Sequence, residues 1–238
     1  LSKNMEDSVI VVISQSGTTI DTNVFAKMAK KRGAYTISLV NKRDGDITYI
    51  VENNLYLGNG RDVELSVPST KTYTCHLYLG FILANKIISI LKQNYKTELF
   101  KISKKIMKKN YINNLISKHL RIINNINLDI FRYSKWVVVY DNSINSYSGL
   151  EFRIKLSECC YKSIPYVHID QFKEFNLKNC LVFYIGQKDI FDQKRFRDNF
   201  LISISTAKRK SSRNKKDIKL ENNPHSLLAI ESSIALQL

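Results

Sequence analysis

Six residues near the amino end, Ser14-Gln15-Ser16-Gly17-Thr18-Thr19, lie between a short apolar run and an amphipathic stretch. Their chemistry suits a phosphate. The hydroxyls of Ser14, Ser16 and Thr19 can donate to anionic oxygens, and Gly17 lets the main chain come close. A helix starting behind the loop would aim its unpaired N–H groups and positive dipole end at the same point. Hydrogen bonds to a charged group are worth roughly 1.5–3 kcal/mol each, so three or four would hold a small phosphoester. The alternative is plain helix capping, although one cap uses one hydroxyl and Ser14, Ser16 and Thr19 already supply three. A second cluster, Val67-Pro68-Ser69-Thr70-Lys71, again places hydroxyls where a long helix begins, suited to another edge of a polar ligand. A third set, Glu151, Lys155 and Glu158, recurs at i, i+4 and i+7, which is one helical face. It reads either as an acid–base group or as a surface salt-bridge ladder, worth about 0.3–0.5 kcal/mol per pair.

The elements that must position these residues follow from periodicity. Ser8 to Ile13 is a β-branched run that reads as a buried strand, and Ile20 to Arg32 is an amphipathic helix closed by Gly33. Tyr35 to Val40 reads as a strand, and Ile47 to Val51 and Asn54 to Leu57 as short extended pieces. A long helix opens from Glu64 to Lys71 and runs to about Lys92, and helical stretches at Glu98–Lys109 and Tyr111–Asn124 form a connector. A second unit then repeats the pattern. Trp136 to Tyr140 is a strand, Asp141 to Ser146 a polar loop, and Tyr147 to about Ser163 a helix. Strands at Cys180–Ile185 and Leu201–Ser205 flank a helix near Asp189–Arg197, and a basic loop precedes a last helix from Pro224. Alternating strands and helices predict an α/β fold of parallel sheets flanked by helices in three αβα layers. The expected domains are 1–125, including the connector, and 126–238.

The chain has 238 residues and a formal charge of +16, with 27 Lys to 10 Arg. Its 44% hydrophobic content excludes disorder as the main state. The most membrane-like run, Leu77 to Leu91, is broken by Asn85 and Lys86 and falls short of the roughly 20 apolar residues a span needs. Two basic clusters, Lys101 to Lys109 and Lys208 to Lys216, invite a nucleic-acid reading. No recognition motif accompanies them, and the Lys, Asn and Ile bias matches A+T-rich codons, so a nucleic-acid partner is not expected. The four Cys lack CxxC spacing and the four His lack ligand spacing. Reduced thiols in a cytoplasmic protein, with no metal and no cofactor, are therefore expected.

Three segments carry a resemblance. Ile13 to Thr22 (ISQSGTTIDT) resembles the ISQSGET-x-DT loop of the sugar-isomerase (SIS) domain. Glu64 to Tyr73 (ELSVPSTKTY) resembles the E-x-G-V-A-S-T-K-A-[FY] segment of glutamine:fructose-6-phosphate aminotransferase, the isomerising family that makes glucosamine 6-phosphate. Gly149 to Tyr161 (GLEFRIKLSECCY) is similar to the A-L-E-G-A-L-K-L-K-E-x-x-Y helix of that family's second sugar-isomerase domain. The resemblance implies two SIS domains, the first lacking its amino-terminal part and the second its carboxyl tail. It implies that Ser14, Gln15, Ser16 and Thr19 bind the sugar phosphate, with Val67 and Ser69 lining the sugar site. It also implies that Glu158 moves a proton between C1 and C2, with Lys155 beside it. Fructose 6-phosphate or glucosamine 6-phosphate is the implied ligand, and a homodimer and a separate glutaminase domain are the implied protein partners.

The chain departs from the family in several places. The family's glutaminase half and its imine-forming lysine have no counterpart in the sequence, and Asp141-Asn142-Ser143 stands where the second domain has G-R-G. Asn179 aligns with the ring-opening histidine, with His168 a weaker candidate for part of that role. The non-Met start fits a piece of a longer enzyme, and Asn179 fits an eroded one. A non-catalytic phosphosugar-binding SIS module is the alternative function.

Overall fold

The computed structural model describes residues 1–58, 64, 68–91, 101, 104–106, 108–125, 132–172, 174–175, 177–187, 196, 198–205 and 215–220. The chain forms two compact units that divide between Gln93 and Asn94. In the first, strands alternate with helices, and in the second a helix separates the first two strands; every strand pair is parallel. The division lies well before the boundary near residue 125. Ile122 and Ile123 pack against the second core, so the connector helix that carries them goes with the second unit.

The first unit holds β1 (Val9–Ser14), α1 (Ile20–Lys31), β2 (Tyr35–Val40), α2 (Ile47–Ile50), β3 (Asn53–Tyr56) and α3 (Thr70–Ile90), with sheet order β1-β2-β3. Ala26 and Ala29 of α1 are fully buried, because small side chains let the helix lie close on Val12, Val40, Ile47 and Val51. Asp21 in the first turn and Lys30 and Lys31 in the last complement the helix dipole. The expectation of a fully buried β1 is corrected. Val12 and Ser14 face the core, whereas Val9 and Ile13 on the other face are 59% and 57% exposed. An unbroken β-branched run looks the same whether one face or two are covered. Ile47 to Ile50 is a helical turn and not an extended piece. The Ile47 N–H donates to the Gly17 carbonyl and the Thr48 hydroxyl to the Gly45 carbonyl, which winds the segment against the loop after β1.

The second unit holds α4 (Lys109–Asn124), β4 (Lys135–Tyr140), α5 (Asn145–Cys160), β5 (Tyr166–His168), β6 (Cys180–Ile185), β7 (Phe200–Ser205) and β8 (Lys215–Lys219). The strand order is β5-β4-β6-β7-β8. Every residue of β6 and β7 is buried, as expected of central parallel strands covered on both faces. One face packs Trp136, Phe152, Phe183, Ile185 and Ile204, and the other packs Val137, Val139, Tyr184, Phe172 and Phe196. Sequence patterning missed β5, which is three residues long, and β8. Lys215 and Lys216, assigned above to a basic loop, begin β8 and pair with Leu201 and Ile202. The expected helix from 224, the 208–214 stretch, half of the 98–109 stretch and all of the expected helix near 189–197 except Phe196 lie outside the described residues.

Candidate functional site

The loop after β1 sits at the carboxyl edge of the first sheet, where parallel sheets present ligands. Ser14 is buried and its hydroxyl accepts the Gly17 N–H at 3.0 Å, closing a tight turn. Gly17 takes φ 71°, a left-handed conformation that suits glycine. A Cβ there would stand 3.0 Å from both Gly45 Cα and Ile47 Cγ2. The Gly17 carbonyl is gripped by the Asn23 side-chain amide at 3.1 Å, one turn into α1. Gln15 turns inward as well. Its carbonyl accepts the N–H groups of Asn41 and Lys42, each at 3.3 Å, and its amide donates to the Glu64 carbonyl.

What remains to meet a ligand is the outer rim. The Ser16 hydroxyl lies 2.9 Å from that of Thr18 and accepts the Thr18 N–H at 3.2 Å, and Thr18 and Thr19 are exposed. Thr19 occupies the position before α1 and makes no side-chain capping bond, so its hydroxyl is not spent on the helix end. The loop after β2 contributes cationic Lys42, paired with Asp44 at 3.5 Å, and Arg43, stacked 4.7 Å over the Tyr56 ring.

Glu64 joins the two hydroxyl-rich segments. Its carbonyl holds Gln15, and its carboxylate accepts the N–H groups of Thr72 at 2.8 Å and Lys71 at 3.2 Å, so it caps α3. Burial pushes the Glu64 carboxyl up, but the Thr72, Lys71 and Thr70 donors outweigh it and hold the group below the usual carboxylate range. Ser69 is in the left-handed region at φ 47° and accepts the Tyr73 N–H through its carbonyl at 3.0 Å. Val67 lies outside the described residues. His76 on α3 donates to the Leu39 carbonyl at 3.2 Å, tying the helix to β2. Its half-buried setting lowers its pKa, so the ring is neutral near pH 7. Asn23, Glu64 and His76 escaped assignment as site-building residues because each acts across the fold. The acid six residues ahead of a helix start was the one available signal.

In the second unit the ladder forms as spaced. Lys155 Nζ lies 2.7 Å from Glu151 and 3.9 Å from Glu158, and the Glu158 residue is exposed. Helix α5 joins two parallel strands and so runs back against them. At 1.5 Å per residue, Glu158 is about 20 Å from the first residue of α5, toward the amino edge of the sheet. Asn179 precedes β6 at that same edge, at φ 53°, with its N–H on the Asp198 carbonyl at 3.0 Å. His168 ends β5 at the opposite, carboxyl edge, where it meets Asn142 Oδ1 at 3.0 Å and Asp170 at 3.5 Å. Among the described residues no cluster of three His, Cys, Asp or Glu could hold a metal, and no helix is long and apolar enough to cross a membrane.

Residues 1–86 match the family model of the SIS domain, and the loop Ser14–Thr19 and Ser69 fall inside the match. The chain is similar to glutamine–fructose-6-phosphate aminotransferase (isomerizing) of Thermococcus kodakarensis, with 28% identity over 73% of this chain and 28% of the relative. The enzyme of that name from Methanocaldococcus jannaschii is 30% identical over 71% of this chain and 14% of the relative. The chain thus spans less than a third of the length of either curated relative. Among solved structures, the C-terminal domain of glucosamine-fructose-6-phosphate aminotransferase from Francisella tularensis superposes with a TM-score of 0.78 at 19% identity. That match covers 97% of this chain and 69% of that one. Tagatose-6-phosphate ketose/aldose isomerase from Escherichia coli gives 0.60 at 13% identity, covering 96% and 67%. At these identities the structures establish the fold, an α/β architecture of parallel sheets flanked by helices. Within the first unit, residues 1–86 are thus similar to the SIS domain.

Proposed function

We propose that the chain binds a phosphorylated sugar on the loop Ser14–Thr19, as the isomerase half of a glutamine:fructose-6-phosphate aminotransferase. The observation that carries this reading is the division of labour within the loop. Ser14, Gly17 and Gln15 are consumed in shaping it, while Ser16, Thr19 and the start of α1 face outward at the carboxyl edge of a SIS-type sheet. Ser16 and Thr19 donate to the phosphate, and Ser69 and Val67 line the sugar.

The reaction would join fructose 6-phosphate and ammonia and release water, giving glucosamine 6-phosphate. Once nitrogen has replaced the C2 oxygen, the C1 hydrogen is acidic enough for a carboxylate to move it to C2. Glu158 takes that proton and Lys155 sets its charge environment. The ammonia comes from a separate glutaminase domain, in a cytoplasmic and self-associating assembly.

One observation favours the non-catalytic alternative. Lys155 is held by Glu151 at 2.7 Å, the arrangement of an ordinary salt-bridge ladder. Turnover separates the two readings. Glucosamine 6-phosphate formed from fructose 6-phosphate and ammonium, and lost in Glu158→Gln, supports the enzyme. Binding without turnover supports the binding module.

A further inference from the structure

The carboxyl edge of the second sheet tells a different story from that of the first. The order β5-β4-β6-β7-β8 reverses direction between β4 and β6, and the crevice at such a reversal is where open α/β sheets receive ligands. The residue at the end of β4 is Asp141, only 2% exposed. Three donors from separate segments converge on its carboxylate: the Ser143 N–H at 2.9 Å, the Gln187 N–H at 2.8 Å and the Tyr184 hydroxyl at 2.9 Å. Two main-chain N–H groups and a hydroxyl around one buried oxyanion are what a protein offers a bound anion. Register explains the fit. Tyr140 pairs with Ile185, so Asp141 lies beside Gly186. A Cβ on Gly186 would stand 2.6 Å from the Asp141 carboxylate and would also strike the Tyr184 hydroxyl. The lack of a side chain at 186 is therefore what lets the carboxylate in.

We propose that this edge is an anion nest already filled by the chain's own Asp141. Its three donors are therefore spent on the chain's own carboxylate, and an external anion reaches them only when Asp141 is removed. The first edge differs in the relevant respect: its loop from Ser14 to Thr19 contains no carboxylate, and the turn is closed by a neutral hydroxyl. The nest is independent of the function proposed above, since it concerns the other sheet. Its consequence is that the donors at the switch point of the second sheet serve the chain's own carboxylate and not a ligand.

The test vacates the nest and offers it a small substitute. In the full chain, Asp141→Gly should melt below wild type, and formate should raise its midpoint saturably, relative to chloride at equal ionic strength. Wild type should show no such response. Asp141→Asn keeps the shape filled and should show none either. An Asp141→Gly chain that is folded by circular dichroism yet indifferent to formate would overturn the proposal, as would an equal response in wild type. Should Asp141→Gly fail to fold in chloride, refolding it in formate decides: native circular dichroism recovered in formate supports the nest, and no recovery overturns it.

Discussion

At the scale of single residues, the loop after β1 separates groups that build from groups that bind. Ser16→Ala leaves the Ser14–Gly17 turn closed, because the Gly17 N–H is held by Ser14, and costs the loop only the exposed 3.2 Å bond from the Thr18 N–H to Ser16. It should weaken fructose 6-phosphate binding by roughly 10- to 100-fold, the worth of one charge-assisted bond, with a much smaller loss of stability than Gly17→Ala. Thr19→Ala should act alike. Gly17→Ala should do the reverse and cost about 1–3 kcal/mol of stability, since its Cβ enters a left-handed backbone 3.0 Å from Gly45 and Ile47. Thermal melts of the three variants check this, and a Ser16→Ala chain as unstable as Gly17→Ala would contradict the division. The hydroxyls were legible in the sequence because a phosphate loop is local, with all its groups within six residues. Asn23, Glu64 and His76, which hold the loop and α3 in place, were not. Their partners, Gly17, Gln15 and Leu39, are brought to them by a helix turn or by tertiary packing, which no local pattern encodes.

At the scale of elements, the strands whose sequence runs are long and apolar were legible almost to the residue, as β2, β4 and β6 show. Those that depend on neighbours were not: β5 has three residues, and β8 is charged and exists by pairing with β7. Glu64 supplies a prediction at this level. Its folded pKa lies below the unfolded value, so its contribution to stability is complete above pH 4.5, the ordinary value, and is lost as pH falls through the folded one. Glu64→Gln should cost on the order of 1 kcal/mol near neutrality, as loss of a helix cap does. The gap to wild type should narrow on acidification below pH 4.5. Urea unfolding across pH 3–7 measures it, and a gap that widens in acid would count against the cap. In the second unit, Gly186→Ala should destabilise by about 1–3 kcal/mol through overpacking against Asp141 and Tyr184. Equilibrium unfolding of that variant checks the close fit.

At the scale of the whole molecule, two α/β units share an architecture and differ in what their ligand edges offer. The first presents hydroxyls and a helix start to solvent, and the second encloses its own carboxylate. Repetition of strand, loop and helix made the two-unit organisation legible from the sequence. The dividing point was not, because α4 is amphipathic and could face either neighbour until Ile122 and Ile123 are seen on the second core. The charge of +16 adds a general attraction for anions that falls with salt, whereas a phosphate seated on specific donors depends on those donors individually. Calorimetric titration of the chain with fructose 6-phosphate, at physiological salt and beside Ser16→Ala, distinguishes these directly. The account predicts saturable binding of one ligand per chain, reduced at least tenfold in the folded variant. No binding at millimolar ligand, or equal binding by both proteins, would contradict the phosphate site at Ser14–Thr19.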